Sequence, residues 1–225
     1  MIFGLIDFIN TLPLYLYFKK SHLPSYTKKT ILHKKNIPSK LNKSLKNKKI
    51  NSAIISSIES KHKKYKNLNI GICANKKVLS VIVEPSTSKT LDKASATSNA
   101  LSDILKLNGK VMIGDKALRQ YIKNDKKYID MCQEWYKKTK LPFCFARFST
   151  INKLDKYKKF FKNFDFKSNT KNKRTKIPTY ILEKYSKDRQ IKEKDIKMYL
   201  QYIYYHIGKK ELKSLKLYLK KYYLK

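Results

Sequence analysis

Glycine and cysteine are both scarce in this sequence, and each scarcity excludes a class of site. Five glycines in 225 residues provide neither a G-x-G-x-x-G stretch nor a P-loop, which excludes the usual phosphate-binding loops. Cys73, Cys132 and Cys144 are far apart in sequence and have apolar neighbours, which favours buried, reduced thiols in a reducing compartment. No cluster of residues has metal-ligand spacing, so we expect neither a metal nor a cofactor.

Long apolar runs are missing as well. No basic flank precedes a long hydrophobic segment near residue 1, so we expect neither a signal peptide nor a membrane-spanning helix. Hydrophobic residues make up 41% of the chain, which is enough to form a buried core. The expectation is a globular, cytoplasmic protein without a membrane partner.

Acidic residues are few, with 16 Asp and Glu against 53 Lys and Arg and a net charge of +37. Such a charge by itself suggests a polyanionic partner, because bound cations release counterions from phosphates. Only Arg119, Arg147, Arg174 and Arg189 are arginines, however, and the guanidinium group is the preferred reader of bases and phosphates. We therefore favour a solvated cationic surface that steers an anionic substrate, without a specific nucleic acid, and keep polyanion binding as the alternative.

Polar residues follow two apolar segments that have the character of strands. Residues 1–6 lead to Asn10 and Thr11, and Pro13 then stands in the first turn of a predicted helix. Residues 51–55 similarly lead to Ser56 and Ser57. Because ligands of open α/β sheets bind at the carboxyl ends of strands, we expect Asn10 and Thr11 to face a small-molecule cleft.

Three further polar positions have two interpretations each. Ser80 lies in a predicted strand over residues 78–84, where a satisfied core hydroxyl is favoured over a ligand contact. The hydroxyls of residues 95–99 precede a predicted helix from Ala100, and either cap it or leave its N-H groups to hold a carboxylate. Asp115 follows a predicted strand and is interpreted as a helix cap rather than a catalytic acid.

The other predicted elements place most aromatic and aliphatic residues in the core. Trp135 and Tyr199 are interpreted as packing residues, and Ser39 as the cap of a helix over residues 38–45. The histidines are isolated from the polar strand ends, so no histidine base is evident. The sequence further predicts strands over 28–32, 69–73 and 141–148, helices over 153–164, 178–187, 192–207 and 209–223, and a polar linker over 167–176.

The order of these motifs resembles the chorismate dehydratases of the futalosine route of menaquinone biosynthesis. The resemblance covers residues 1–150, whereas the C-terminal helices match only in type. Ala96 stands where that family usually has an arginine, and Asn51 where it usually has an aspartate, so Arg119, Arg147 or a lysine would have to replace the arginine. The matching segments are Asn10-Thr11-Leu12-Pro13, residues 53–59, Ser80-Val81, residues 95–98, residues 114–118 and residues 134–146.

The resemblance implies an α/β, two-lobed fold similar to the type II periplasmic-binding proteins, with a cleft between the lobes and extra C-terminal helices. Lobe one would comprise residues 1–83 and 148–225, and lobe two residues 84–147. The chain would cross between the lobes at the apolar segments 78–84 and 143–148.

The implied reaction removes water from chorismate to give 3-[(1-carboxyvinyl)oxy]benzoate. Because no histidine base is evident, we expect a carboxylate of the substrate to accept the ring proton. Neutral donors suit a dianionic substrate because they hold carboxylates without adding a charge. The implied catalytic residues are Asn10 and Ser80, and the implied substrate-binding residues are Thr11, Ser56, Ser57, Thr97, Ser98, Gly114 and Asp115.

Two other functions compete with this one. A non-catalytic binding protein for a small anion or a polyanion has the same need for donors and positive charge. The sister dihydroxynaphthoate synthase of the same route is disfavoured, because its nucleophilic histidine would have to lie in the cleft. The sequence leaves the oligomeric state open.

Overall fold

The computed structural model describes residues 2–164 and 177–224, in which helices and strands alternate. The strands are β1 Phe3–Ile6, β2 Lys35–Asn36, β3 Ser52–Ser56, β4 Lys66–Ala74, β5 Val81–Pro85, β6 Gly109–Ile113, β7 Ile129–Asp130, β8 Phe143–Thr150 and β9 Ile203–His206. The helices are α1 Leu12–Lys20, α2 Ser25–His33, α3 Pro38–Lys46, α4 Ala96–Leu105, α5 Gly114–Lys123, α6 Met131–Thr139, α7 Leu154–Phe160, α8 Thr179–Arg189, α9 Glu193–Tyr199 and α10 Lys209–Tyr223. Short 3-10 helices occupy Ile9–Thr11, Glu59–Lys61, Asp125–Lys127 and Phe161–Asn163.

The strands form two sheets, and the chain passes from one to the other and back. The first sheet has six strands in the order β2-β1-β3-β8-β4-β9, with β1 parallel to β2 and β3, and β8 antiparallel to β3 and β4. The second has three antiparallel strands in the order β6-β5-β7. The chain leaves the first sheet after β4 and returns at β8, while the lobe limits at 83/84 and 147/148 stay a prediction.

Burial explains why the central strands lack an alternating pattern. All five residues of β3 are buried, because β3 lies between β1 and β8 and is covered on both faces. Phe3 and Phe148 stack across the sheet with ring centroids 5.7 Å apart. Trp135 is almost fully buried and donates from Nε1 to the Ser214 hydroxyl at 2.9 Å, which confirms its core position.

Two predictions of secondary structure were wrong. Residues 28–32 lie in helix α2 and not in a strand, because a short apolar run carries no period that separates the two states. The predicted helix over 192–207 ends at Tyr199, and residues 203–206 form edge strand β9 against β4. The buried Ile203 and Tyr205 alternate with less buried neighbours there, which is the period of a half-buried strand.

Smaller differences concern caps, linkers and thiols. Ile37 and not Ser39 is the N-cap residue of α3, and the Ser39 backbone N-H instead donates to the Ala94 carbonyl at 3.0 Å. The predicted linker over 167–176 lies outside the described residues. The three cysteines are free and buried as predicted, although Cys73 and Cys144 are directly opposite each other on β4 and β8.

No helix within residues 2–164 and 177–224 is both long and apolar enough to cross a membrane.

Candidate functional site

A pocket with a cavity volume of about 40 Å³ receives residues from both sheets. Its apolar wall includes Phe8 and Phe145, and none of the described residues that line it is charged. The polar side chains that line it are Asn10, Ser56, Ser80, Ser95 and Ser98.

Asn10 reaches the pocket from the 3-10 turn that follows β1. Tyr205 donates its hydroxyl to the Asn10 backbone carbonyl at 2.7 Å, and the Thr11 hydroxyl donates to the Ile6 carbonyl at 2.6 Å. These bonds fix the backbone of the turn. The side-chain Oδ1 of Asn10 is buried and has no hydrogen-bond partner among the described residues. A buried acceptor of this kind costs free energy until a ligand or water satisfies it.

Ser80 lies immediately before β5, at the second wall of the pocket. Its Oγ lies 2.7 Å from the hydroxyl oxygen of Tyr199, and its carbonyl accepts from the Gly114 backbone N-H at 2.9 Å. The preceding Leu79 has φ 61°, and the buried Asp130 carboxylate accepts from its N-H at 2.7 Å. Ser80 is thus held through both its side chain and the conformation of the backbone before it.

The Tyr199 hydroxyl lies beside both Asn10 and Ser80. Burial raises the pKa of Tyr199 well above its usual range, and hydrogen bonding with the Ser80 and Asn10 side chains opposes this only in part. The phenol is therefore protonated at neutral pH.

Ser56 is oriented by one amide side chain of α3. The Asn42 Oδ1 accepts from the Ser56 backbone N-H at 3.1 Å, and the Asn42 Nδ2 donates to the Ser56 Oγ at 3.2 Å. Because the Ser56 Oγ accepts from Asn42, its own O-H remains available to donate toward the pocket.

The start of α4 forms a third wall. Ser95 is the N-cap residue, and its Oγ accepts from the Ser98 backbone N-H at 3.1 Å. The Ser95 hydroxyl also donates to the Ser98 Oγ at 3.0 Å, which leaves the Ser98 O-H free to donate. Ser95 thus both caps α4 and lines the pocket. The N-terminus of a helix carries a partial positive charge, which favours the binding of anions there.

Four of the predicted substrate contacts do not line the pocket, and three of these are hydroxyl residues. The Thr11 hydroxyl is bonded to backbone carbonyls, as is the Ser57 hydroxyl, which donates to the Cys144 carbonyl at 2.6 Å. The Thr97 Oγ1 accepts from the Ile58 backbone N-H at 3.3 Å. All three side chains are buried and their polar atoms have partners within the protein, so their roles as substrate contacts stay predictions.

Asp115 is neither a cap nor a lining residue. The N-cap position of α5 is Ile113, and the Asp115 Oδ1 instead accepts from the Ile9 backbone N-H at 2.9 Å. The Arg189 Nε lies 3.4 Å from its Oδ2, while the Arg189 Nη2 pairs with Asp7 at 2.7 Å. Burial raises the pKa of Asp115 to about 6, against the opposing effects of Ile9 and Arg189.

The arginines expected to replace the missing one at position 96 have other partners. Arg119 donates to the Arg189 carbonyl at 3.0 Å, and Arg147 donates to the Leu68 carbonyl at 3.1 Å. Neither lines the pocket. Among the described lining residues, an anion can therefore be bound by neutral groups and by the N-terminus of α4.

Gly114 completes the pocket through its backbone. Its φ is +68°, and a Cβ built there would lie 2.5 Å from the Phe8 ring. The structure thus brings together Asn10, Ser56, Ser80, Ser98 and Gly114 of the predicted site.

Sequence reasoning missed the residues that support these groups. Ser95 belongs to the run 95–99, whose hydroxyls were predicted either to cap a helix or to leave its N-H groups for a carboxylate, and Tyr199 was predicted to be a packing residue. Nothing in the sequence indicated a role for Asn42 or Tyr205. Asn42 is a single polar residue in a helix, and Tyr199 and Tyr205 lie more than a hundred positions from their partners. None of the three therefore carries a local signal that could have identified it.

The two-sheet arrangement and the pocket that both sheets line define an α/β protein of the periplasmic-binding-protein type. Three solved structures share this fold, and each matches 99% of this chain. A protein of Archaeoglobus fulgidus has a TM-score of 0.60 and 11% identity, with 95% of that protein covered. An ABC transporter protein of Parabacteroides distasonis has a TM-score of 0.57 and 16% identity with 91% covered, and the periplasmic aliphatic sulphonate binding protein of Escherichia coli has a TM-score of 0.53 and 11% identity with 85% covered. These likenesses confirm the predicted fold class.

The chain belongs to a family of menaquinone biosynthesis proteins. The model of that family matches residues 1–108 and 104–224. A protein of Campylobacter jejuni named chorismate dehydratase is 53% identical over 221 residues, which are 98% of this chain and 96% of that protein. The resemblance stated from the sequence is thereby confirmed.

Proposed function

We propose that this chain is a chorismate dehydratase, a hydro-lyase that converts chorismate to 3-[(1-carboxyvinyl)oxy]benzoate and water. The observation that carries the proposal is the convergence of Asn10, Ser56, Ser80 and Ser98 in one pocket. Its support from outside the structure is the 53% identical relative that bears this name. We place the reaction in the futalosine route of menaquinone biosynthesis and in the cytoplasm.

The reaction asks the protein for orientation rather than for redox chemistry. One ring C-H bond and one C-O bond break, a third ring double bond forms, and the proton and the hydroxyl leave together as water. Because the product is aromatic, the main task is to hold both carboxylates and the departing hydroxyl in a reactive geometry. A carboxylate of the substrate accepts the ring proton and passes it to the departing hydroxyl, which leaves as water. The described lining contains no charged group that competes for this role.

Each polar side chain of the pocket has a distinct use in this scheme. Ser56 and Ser98 donate to substrate carboxylates, and the N-terminus of α4 adds its partial positive charge. Ser80 donates to the oxygen on which negative charge develops. The unpartnered Oδ1 of Asn10 accepts a hydrogen bond from the substrate hydroxyl and is satisfied only in the complex.

The sister synthase activity finds no support in the site. All four histidines, at positions 22, 33, 62 and 206, are exposed, and none lines the pocket among the described residues. A histidine nucleophile would have to enter from the surface, which the positions of these side chains do not allow without rearrangement.

The test is mass spectrometry of the purified protein mixed with chorismate and no added cofactor. The expected result is a product lighter than chorismate by one water. Asn10→Ala and Ser80→Ala should each lower turnover by about ten- to a thousandfold, because the first removes a contact that orients the substrate hydroxyl and the second removes an oxyanion-type donor. Ser149→Ala is the matched control, because Ser149 is buried and bonds to Asn67 outside the pocket.

Two results would count against this assignment. Wild-type protein that leaves chorismate unchanged would overturn the dehydratase, and tight, steeply salt-dependent binding of DNA would then support the polyanion-binding alternative. Turnover of both pocket variants at the rate of the Ser149 control would remove Asn10 and Ser80 from the catalytic residues.

A further inference from the structure

Two buried tyrosines of the C-terminal segment contact the two proposed catalytic residues. Tyr199 ends α9, and its hydroxyl lies 2.7 Å from the Ser80 Oγ. Tyr205 lies in β9, and its hydroxyl donates to the Asn10 carbonyl at 2.7 Å. Both side chains are only 1% exposed, and neither lines the pocket.

We propose that Tyr199 and Tyr205 are positioning residues for the reaction, which hold the Ser80 hydroxyl and the Asn10 turn in their reactive geometry. This inference rests on the proposed function. According to this inference, the α9–β9 segment supports the active site in addition to packing in the core.

The hydrogen bond between Tyr199 and Ser80 has a defined direction in this proposal. Either hydroxyl can be the donor at 2.7 Å, and in the proposed arrangement the phenol O-H is directed to the Ser80 Oγ, with the Asn10 side chain beside the phenol oxygen. Ser80 then accepts from Tyr199 and keeps its own O-H for the substrate. A chain of hydrogen bonds in which each member is polarised by the one before makes the last hydroxyl a better donor.

Tyr205 acts on Asn10 through the backbone. The 3-10 turn Ile9–Thr11 is only three residues long, and the Asn10 carbonyl has the Tyr205 phenol as its hydrogen-bond donor. A shift of this carbonyl rotates the peptide and moves the Asn10 side chain with it. Because reactions of bound substrates are sensitive to displacements of about 1 Å, fixing this turn affects turnover more than affinity.

Burial of a tyrosine with a partner is not by itself a functional signal, since a buried phenol needs a partner in any case. Tyr157 shows this: it is equally buried, and the Ser52 hydroxyl donates to it away from the pocket. What distinguishes Tyr199 and Tyr205 is that their partners are the two residues on which the proposed chemistry depends.

The test compares Tyr199→Phe and Tyr205→Phe with Tyr157→Phe as matched control. The first two should lower kcat about tenfold or more and leave KM within about threefold, because they disturb geometry rather than binding. The control should lose a similar amount of thermal stability and keep the wild-type kcat. In a Ser80→Ala background, Tyr199→Phe should change kcat by less than about twofold, since the two groups act as one unit.

Three outcomes would overturn the inference: wild-type kcat in both variants, an equal loss of kcat in Tyr157→Phe, or full additivity with Ser80→Ala. A crystal structure of Tyr199→Phe provides a readout that does not depend on activity, in which the Ser80 side chain should adopt a different rotamer. If wild-type protein does not turn over chorismate, the proposed function fails, and this rotamer alone decides the inference. An unchanged rotamer would then overturn it.

Discussion

Single residues shape the pocket through backbone conformation as much as through side chains. Gly114 combines a φ of +68° with a hydrogen bond from its N-H to the Ser80 carbonyl at 2.9 Å. The Phe8 ring occupies the space where a Cβ would be, 2.5 Å away. The glycine is therefore required twice, for its conformation and for the close approach of a lining aromatic ring.

Gly114→Ala should destabilise the protein by about 1–3 kcal/mol, because a non-glycine residue in this conformation is strained and Phe8 must move. Displacement of Phe8 should also lower turnover, since its ring lines the pocket. Urea denaturation and a chorismate assay measure the two effects. The control is Gly208→Ala, where the nearest atom to a Cβ is the flexible Glu211 carboxylate at 3.1 Å. Equal stability losses in the two variants would contradict this account of Gly114.

At the scale of elements, the site depends on where strands end and helices begin. The turn after β1, the last residue of β3, the residue before β5 and the start of α4 all contribute to one pocket. Strand ends and helix N-termini expose unpaired backbone donors and short polar side chains, so their convergence produces a binding site without charged residues.

Helix α4 offers a test of this arrangement at Ser95, its N-cap residue. Ser95→Asn and Ser95→Asp both retain a capping side chain, so each should keep the stability that Ser95→Ala loses, about 1 kcal/mol. The two differ by one negative charge beside the proposed carboxylate site. Ser95→Asp should therefore raise KM for chorismate about tenfold or more above that of Ser95→Asn. Equal KM values would place the substrate carboxylates elsewhere.

At the scale of the whole molecule, α5 joins elements that are distant in sequence. Asp115 and Arg119 lie four residues apart on one face of this helix, and both contact Arg189 at the end of α8. Asp115 also accepts from the Ile9 backbone N-H, next to Asn10. The second sheet's helix, the β1 turn and the C-terminal helices thus meet at one buried carboxylate.

This carboxylate should make stability depend on pH. Burial raises the pKa of folded Asp115 to about 6 from its ordinary 3.8, so folding binds a proton between these values. The stabilisation is complete below about pH 3.8 and is lost as the pH rises through 6, a change of about 3 kcal/mol at most. The neighbouring charged or titratable groups are Asp7, Arg119, Tyr185, Arg189 and Tyr199.

Urea denaturation of wild type and Asp115→Asn at pH 4 and pH 7 measures this contribution. The free energy of unfolding of wild type relative to the variant should fall between the two pH values. Asp155→Asn is the control with opposite sign: Lys158 lowers the pKa of this exposed carboxyl, so its small contribution should increase with pH. A constant difference between wild type and Asp115→Asn would show that Asp115 does not titrate in this range.

The sequence was most informative at strand ends. Asn10 and Ser56 were predicted at the site because each follows an apolar strand, whereas Ser80 was predicted inside a strand and was assigned to the site only by the family resemblance. All three line one pocket. It was least informative in the C-terminal third, where β9 was predicted as helix and Tyr199 as packing. Helical periodicity and edge-strand alternation are hard to distinguish over four residues, and pairing with β4 decided between them.

What the sequence determined by itself is the α/β class and the family, because hydrophobic patterns mark strands and helices and the order of the polar motifs resembles that family. Which hydroxyls remain free for a substrate was decided only by the tertiary structure. Ser57 and Ser98 look equivalent in sequence, yet one donates to a carbonyl and the other lines the pocket. Hydrogen-bond partners separated by tens of residues make that choice, and no local pattern records them.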